Sequence, residues 1–153
     1  RNSFKRKGGK ISFILNNYTH QDFDHYFGNI TLLIIIGLIL KNKINSMDFF
    51  ITFTLSGIAS NFIPYFKYPN SIQIGSSGSI YGLLGYNLYD VIKKKKINII
   101  GIQIAFLFLT DIYGLFTEKC DKEDSCTLHS SHLSGALLGF LYTGIKNKLF
   151  NRN

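Results

Sequence analysis

A few polar side chains interrupt the apolar stretches of this sequence, and they are of the types that catalysis uses. They are His25, Asn29, Ser77, Asp111, His129 and His132. Because polar and ionisable groups are costly to place inside a membrane, those found there are candidates for function. A hydroxyl and an imidazole within hydrogen-bond reach could form an activated nucleophile and its base. Ser77 and His132 are the candidates for that pair.

The composition indicates that these residues lie in a membrane protein. The chain has 153 residues, 46% hydrophobic and 17% charged, which excludes a disordered tail or polar linker. Five uncharged stretches approach the roughly 20 residues that cross a bilayer core, at 26–40, 49–66, 68–89, 97–110 and 127–145. Residues 30–40 lack the polar face of a helix in a soluble bundle. The sequence therefore predicts an all-α, polytopic membrane bundle with five visible transmembrane helices.

The basic residues predict the topology of this bundle. The net charge of +8 is distributed in short flanks around the apolar stretches, which does not indicate nucleic-acid binding. Loops rich in Lys and Arg favour the cytoplasmic-equivalent side of a membrane. Such basic residues follow the first, third and fifth apolar stretches, at Lys41, Lys43, 93–96, Lys146 and Lys148. The three helices that carry His25, Ser77 and His132 are therefore all predicted to run from the outer side inward.

The basic residues among 1–10 would lie on the outer side of a five-span protein, against that rule. Since the chain also begins with Arg1, we expect an upstream first span, with 1–24 as an outer loop or interfacial segment. We expect one membrane domain over 1–153, with its transmembrane bundle at 25–150.

Counting residues places the candidate groups in one layer. At about 1.5 Å per helical residue, Ser77 lies roughly 24 Å above Lys93, and His132 roughly 21 Å above Lys146. His25 and Asn29 lie roughly 24 and 18 Å above the basic flank of the first span. A shared site therefore needs only lateral contact between three helices.

Glycine spacing predicts that contact. Gly75, Gly78, Gly82 and Gly85 repeat every three or four residues, and Gly135 and Gly139 form a second pair. Stripes of small residues let membrane helices approach closely, and packing the two stripes together would bring Ser77 near His132. The alternative is that the glycines only pack and Ser77 bonds to a backbone carbonyl.

The remaining polar residues could complete a site for acyl transfer. His25 and Asn29 share one helix face, and with the Ser77 amide they could donate hydrogen bonds to the negative oxygen of a tetrahedral intermediate. Interfacial anchoring and helix capping are the alternative for this pair. Tyr81, one turn below Ser77, could pack flat against the His132 ring, or it could be a core aromatic.

Three segments together resemble the rhomboid family of intramembrane serine proteases. Residues 75–82 resemble its G-x-S-G-x-x-Y/F segment, 132–139 its H-x-x-G-x-x-x-G segment, and 19–29 its H-x-x-x-x-H-x-x-x-N stretch. The motifs occur in the family's order, each at the expected end of its span, and the resemblance covers residues 19–145.

This resemblance implies that Ser77 is the nucleophile and His132 the general base and then acid. It implies that His25, Asn29 and the Ser77 amide form the oxyanion hole, with Gly75 and Tyr81 beside them in the oxyanion and substrate-binding set. It further implies a Ser-His dyad without an acidic third member, no cofactor or metal, and substrates that are single-span membrane proteins in lipid. The family core has six spans and usually carries a Trp-Arg pair, whereas this chain has no Trp.

Two other functions compete with proteolysis. A transporter could use Asp111 and the histidines to line a path, although we expect Asp111 at a helix end near the outer surface. A non-catalytic protein could bind membrane helices without cleaving them. The substrate, the particular membrane and the oligomeric state do not follow from the sequence.

The cysteines and the histidines of the fifth stretch are the residue types of metal and disulfide sites. A zinc site of His129, His132, Cys120 and Cys126 matches no common ligand spacing. The two cysteines could equally form a disulfide or remain free thiols.

Overall fold

The computed structural model describes residues 15–67, 74–95, 99–117 and 128–150, and within them the chain is almost entirely helical without strands. A 3-10 turn at Asn16–Tyr18 precedes the helices. They are α1 (Phe23–Leu40), α2 (Ser46–Ser60), α3 (Phe62–Lys67), α4 (Ser77–Lys94), α5 (Ile99–Thr117) and α6 (His129–Phe150). Only Asn61 separates α2 from α3, so the two form one span and five long helices result. The predicted all-α membrane bundle is confirmed.

Three of these spans are long and apolar enough to cross a membrane by composition alone, namely α1, α2 with α3, and α5. The helices α4 and α6 contain 18 and 22 residues, or about 27 and 33 Å, and are long enough to cross as well. They are less apolar because many of their residues are small or polar and contact other helices. Most of α4 is buried, including Gly82 and Asn87, so it forms the centre of the bundle.

Local sequence sets where several helices begin. Asp22 caps α1 by accepting a hydrogen bond from the His25 amide at 2.8 Å, and Asn45 caps α2 by accepting from the Asp48 amide at 2.8 Å. The helix α4 has no side-chain cap and begins at Ser77. Its first residue is therefore also the candidate nucleophile.

Two predicted boundaries differ from the structure. The fourth span extends to Thr117 instead of ending at residue 110, and Asp111 lies within α5. The expectation that Asp111 ends a helix at the outer surface was wrong, because its carboxylate has partners on α6 and is buried. The third span begins at Ser77, and residues 68–73 lie outside the described ranges.

The glycine stripes allow α4 and α6 to touch through their backbones. A Cβ on Gly135 would collide with the Gly78 carbonyl, and one on Gly139 with the Gly82 carbonyl. A Cβ on Gly85 would in turn collide with the Ala136 carbonyl. The predicted close approach of the two helices is confirmed.

The stripe on α4 has a second neighbour that the glycine pattern did not predict. A Cβ on Gly78 or Gly82 would meet the side chains of Ser60 and Ser56, which project from α2. The helix α4 is therefore held between α2 and α6. Small residues on both sides fix its position laterally.

Charged and polar side chains join the helices at the end of the bundle that lies next to the basic flanks. Asp48 at the start of α2 accepts a hydrogen bond from the Tyr142 hydroxyl at 2.7 Å and forms an ion pair with Lys146 of α6. Lys43 donates to Asn87 of α4 at 2.8 Å. A carboxylate this deeply buried is tolerated because it is paired with a cation and hydrogen-bonded.

We expect Gly139→Ala to lower the stability of the bundle by about 1–3 kcal/mol, because the added methyl must push α4 and α6 apart. The measurement is thermal unfolding of the purified protein in lipid nanodiscs. Gly37→Ala on α1 is the matched control, since a Cβ there meets no atom within 4 Å. Equal losses of stability in the two variants would contradict the close backbone contact.

Candidate active site

Ser77 lies where α4 begins, at one end of the contact between α4 and α6. It is the first residue of α4 and is partly exposed, while its neighbours Ser76 and Gly78 are buried. The chain enters the helix through Gly75, whose φ of 115° is a conformation that favours glycine. The Gly75 amide donates to the Asn16 carbonyl at 2.9 Å, which fastens this turn to the 3-10 segment.

His132 lies in the first turn of α6, beside the same contact. Its ring stacks on Tyr81 with the centroids 4.2 Å apart and the planes inclined by 10°. Tyr81 is itself packed edge-on against Phe108 of α5 at 5.9 Å. The flat packing predicted for Tyr81 and His132 is therefore observed, and it fixes the plane of the imidazole.

A carboxylate is hydrogen-bonded to the Nδ1 atom of this imidazole. His132 Nδ1 donates to Asp111 Oδ1 at 3.0 Å, and His129 Nδ1 donates to the same oxygen at 2.7 Å. Asp111 is only 3% exposed, and the two donors compensate for the cost of burying its carboxylate. The resemblance implies no acidic third member, whereas in this structure a carboxylate contacts His132 directly.

The hydrogen bond to Asp111 determines which nitrogen of His132 is available. With the proton on Nδ1, the neutral ring presents Nε2 as an acceptor. The hydrogen bonds of the His132 ring within the described residues go to Asp111 and not to Ser77. Hydrogen bonds between a nucleophile and its base are often long before substrate binds, so geometry alone does not exclude the pair.

His25 and Asn29 lie on the opposite side of the Gly75 turn. The space that a Cβ on Gly75 would occupy is 2.8 Å from His25 Nε2 and 3.6 Å from Asn29 Nδ2. Asn29 is 7% exposed, and its buried Nδ2 has no hydrogen-bond partner among the described residues. A buried donor without an acceptor is costly, so this amide is free to bind an oxygen that enters the site.

A further histidine reaches the same turn. His20 Nε2 lies 3.4 Å from Ser76 Oγ, and its ring packs edge-on against His25 with centroids 5.2 Å apart. Burial and the nearby His25 lower the pKa of His20, which therefore stays neutral at pH 7. His20 thus supports the position of His25 and of the residue before Ser77.

Comparison with known proteins identifies the family of this chain. The model of the rhomboid domain matches residues 7–148, which is nearly the whole sequence. The chain belongs to the rhomboid family. It is therefore a multi-pass integral membrane protein. No solved structure matches it.

The curated relatives of this rhomboid-family chain are distant. Rhomboid-like protein 11, chloroplastic, of Arabidopsis thaliana is 22% identical over 152 residues, covering 89% of this chain and 52% of the relative. Rhomboid-related protein 1 of Caenorhabditis elegans is 22% identical over 147 residues, covering 90% and 40%. Rhomboid protein 1, mitochondrial, of Saccharomyces cerevisiae is 26% identical over 145 residues, covering 87% and 41%. The chain thus spans about half or less of the length of these relatives.

Sequence reasoning missed three contacts of this rhomboid site. It did not include His20, Asp111 and His129 among the site residues. Depth counting from the outer end of α5 would have placed Asp111 about 9 Å below Thr117, near the layer of the other candidates. The space for the His129 ring is provided by Gly114, where a Cβ would collide with that ring.

We expect Gly75→Ala to displace the His25 ring, because the methyl would occupy the space 2.7 Å from His25 Cε1 and would require an unfavourable φ. The measurement is the shift of the His25 Cε1–H resonance in nanodiscs. Gly28→Ala, where a Cβ meets nothing within 4 Å, is the control on α1. An unchanged His25 resonance in Gly75→Ala would show that the turn and α1 are not in contact.

Proposed function

We propose that this chain is an intramembrane serine endopeptidase that cleaves transmembrane segments of single-span membrane proteins. The observation that carries the proposal is the fixed ring of His132. Its face is stacked on Tyr81, one turn below Ser77 on α4, and its Nδ1 is bonded to Asp111, which leaves Nε2 available as a proton acceptor. Membership of the rhomboid family supports the same reaction.

The proposed reaction begins when His132 Nε2 accepts the proton of the Ser77 hydroxyl. The Ser77 oxygen attacks the scissile carbonyl carbon and forms a tetrahedral intermediate. His132 then gives the proton to the departing amine, and the peptide C–N bond breaks to leave an acyl-enzyme. Water, activated by the same imidazole, hydrolyses the ester and restores Ser77.

The negative oxygen of the intermediate requires donors that are in place before the reaction. The unpartnered Asn29 amide, the His25 ring and the Ser77 backbone amide are the groups proposed for this role. Gly75 admits the oxygen, because any side chain there would fill the space beside His25 and Asn29. The buried Asn29 donor without a partner is best explained by this use.

Asp111 is proposed to act through His132 rather than on the substrate. A carboxylate at Nδ1 keeps the imidazole in the tautomer that accepts a proton at Nε2, and it stabilises the imidazolium that forms. This chain would therefore use a Ser-His-Asp arrangement instead of the dyad implied by the family resemblance. The three members come from α4, α6 and α5.

The position of Ser77 restricts where a substrate is cut. Ser77 is the first residue of α4 and is partly exposed, and we propose that water reaches it from the outer side predicted by the basic flanks. A substrate helix must unwind to present an extended peptide bond there. We therefore propose that cleavage occurs near the outer end of the substrate helix, at small or helix-breaking residues.

A non-catalytic binder of membrane helices is the second candidate. One observation favours it: among the described residues, the His132 ring is hydrogen-bonded to Asp111 and not to Ser77. Transport receives less support, because Asp111 is enclosed between two imidazoles. A binder would keep its affinity for a transmembrane substrate in Ser77→Ala and would release no product in either form.

We expect His132→Ala to abolish cleavage of a transmembrane peptide in proteoliposomes, because the proposed general base of Ser77 is then lost. We expect Asn29→Ala to reduce the rate by about 10²-fold, which is typical for the loss of one oxyanion donor. The measurement is product formation followed by mass spectrometry. Full activity in His132→Ala would rule out the mechanism.

We expect Asp111→Asn to lower the cleavage rate by up to about 10⁴-fold, as the loss of the triad carboxylate does elsewhere. The His132 ring nitrogens, observed by NMR, should show a loss of the Nδ1–H tautomer. Asp48→Asn is the matched control, since Asp48 is also buried at 7% exposure but contacts the inner end of α6. Both variants are compared at equal folded fraction.

An unchanged tautomer together with an unchanged rate in Asp111→Asn would contradict the positioning role. Equal losses of activity in Asp111→Asn and Asp48→Asn would show that only stability had changed. Either result would leave the roles of Ser77 and His132 intact.

A further inference from the structure

The proposed peptidase mechanism does not use His129, although this residue lies at the centre of the site. His129 Nδ1 contacts the same carboxylate oxygen of Asp111 as His132 does. An ionisable group inside a membrane is costly and is retained for a reason. One ligand atom from each of Asp111, His129 and His132 lies within 4.8 Å of the other two.

The second oxygen of Asp111 is the unexplained group of this cluster. Asp111 Oδ2 is buried and has no hydrogen-bond partner among the described residues. The Tyr81 hydroxyl is the donor that approaches the carboxylate, and its hydrogen bond to Asp111 falls outside ordinary geometry at Oδ2. A buried acceptor with so weak a partner can take a further ligand such as a water or an ion.

We propose that Asp111, His129 and His132 form a Zn²⁺ site, and that zinc bound there switches off the peptidase. The inhibitory consequence rests on the function proposed above, whereas zinc binding does not. Two imidazole nitrogens and a carboxylate oxygen are the ligands that Zn²⁺ takes, with water in the fourth position.

The cluster must rearrange locally to hold the ion. Tetrahedral ligands about 2.0 Å from zinc lie about 3.3 Å apart. The two nitrogen–oxygen distances are 2.7 and 3.0 Å and must lengthen, while the three ligand atoms, which lie within 4.8 Å of one another, must draw together around the ion as it replaces the shared protons. Gly114 leaves the His129 ring room on the α5 side.

An ion can reach this cluster from the outer side. The side chains of His129 and His132 are 28% and 14% exposed, while that of Asp111 is 4% exposed. The two imidazoles therefore form the entrance and the carboxylate the base of the site. Entry does not require the helices to separate.

Zinc at this position removes the general base. A metal on His132 Nδ1 takes the lone pair of that nitrogen, so the ring proton must reside on Nε2. Nε2 then donates instead of accepting, and it cannot take the proton of Ser77. The same carboxylate that prepares His132 for catalysis would thus hold the ion that inactivates it.

The first test is calorimetric titration of Zn²⁺ into the Ser77→Ala protein in nanodiscs. Cys120→Ser and Cys126→Ser are included to remove thiol ligands that lie outside the described residues. We expect saturable binding at one site. Asp111→Asn and His129→Gln should each weaken the zinc affinity about 100-fold or more, because mutating a residue that only hydrogen-bonds a metal ligand already lowers metal affinity by about 10–100-fold. His20→Gln, a histidine at the same end of the bundle, should leave the affinity unchanged.

No saturable binding, or equal affinity in Asp111→Asn, His129→Gln and the parent protein, would overturn the zinc site. These outcomes do not depend on any enzymatic activity. If only His20→Gln weakened zinc binding, the ion would be assigned to His20 and His25. That result would also overturn the proposal.

The second test is fluorophosphonate labelling of the protein with intact Ser77, with and without Zn²⁺. We expect zinc to abolish labelling of Ser77 and a chelator to restore it. The His129→Gln variant should be labelled in zinc at the same rate as the same variant without metal. Labelling that is unaffected at saturating zinc would overturn the inhibitory role. A protein unlabelled even without metal would overturn the proposed peptidase, and calorimetry alone would then decide the zinc site.

Discussion

The backbones of α4 and α6 touch along the glycine stripes, and the rest of the site depends on that contact. The carbonyls of Gly78 and Gly82 occupy the space that side chains at Gly135 and Gly139 would need. Lipid tails are as apolar as the helix surfaces, so close packing rather than hydrophobic burial holds membrane helices together. This contact places the start of α4, with Ser77, beside the first turn of α6, with His132. It also sets the distance at which Tyr81 can stack on that imidazole.

Buried carboxylates define the two ends of α6. Towards the C-terminal end of α6 Asp48 pairs with Lys146 and Tyr142, and at its N-terminal end Asp111 pairs with His129 and His132. An unpaired charge at either place would be expensive in lipid, so each carboxylate requires its partners and fixes their orientation. The Asp48 cluster contains a lysine and has a structural role. The Asp111 cluster instead contains two imidazoles, which can exchange protons near neutral pH.

Much of this arrangement could be predicted from the sequence, because it depends on local spacing and on depth. The glycine repeats predicted the contact of α4 with α6, and the position of Tyr81 one turn below Ser77 predicted its stacking on His132. The motifs predicted the rhomboid family. The serines Ser56 and Ser60 were not predicted, since nothing in their own segment indicates which helix they face. Asp111 and His129 were among the polar candidates, but their contact with each other and with His132 was not predicted. That contact joins α5 to α6, and helix spacing gives the depth of each residue without showing which residues of two helices meet.

The central claim is that Ser77 is activated by His132, whose ring is oriented by Asp111. The most direct test is the rate at which a fluorophosphonate labels Ser77 in metal-free nanodiscs, with the labelled peptide identified by mass spectrometry. We expect labelling at Ser77 in the unsubstituted protein, none in Ser77→Ala or His132→Ala, and a strongly reduced rate in Asp111→Asn. Labelling of Ser77 at the same rate in His132→Ala would contradict it.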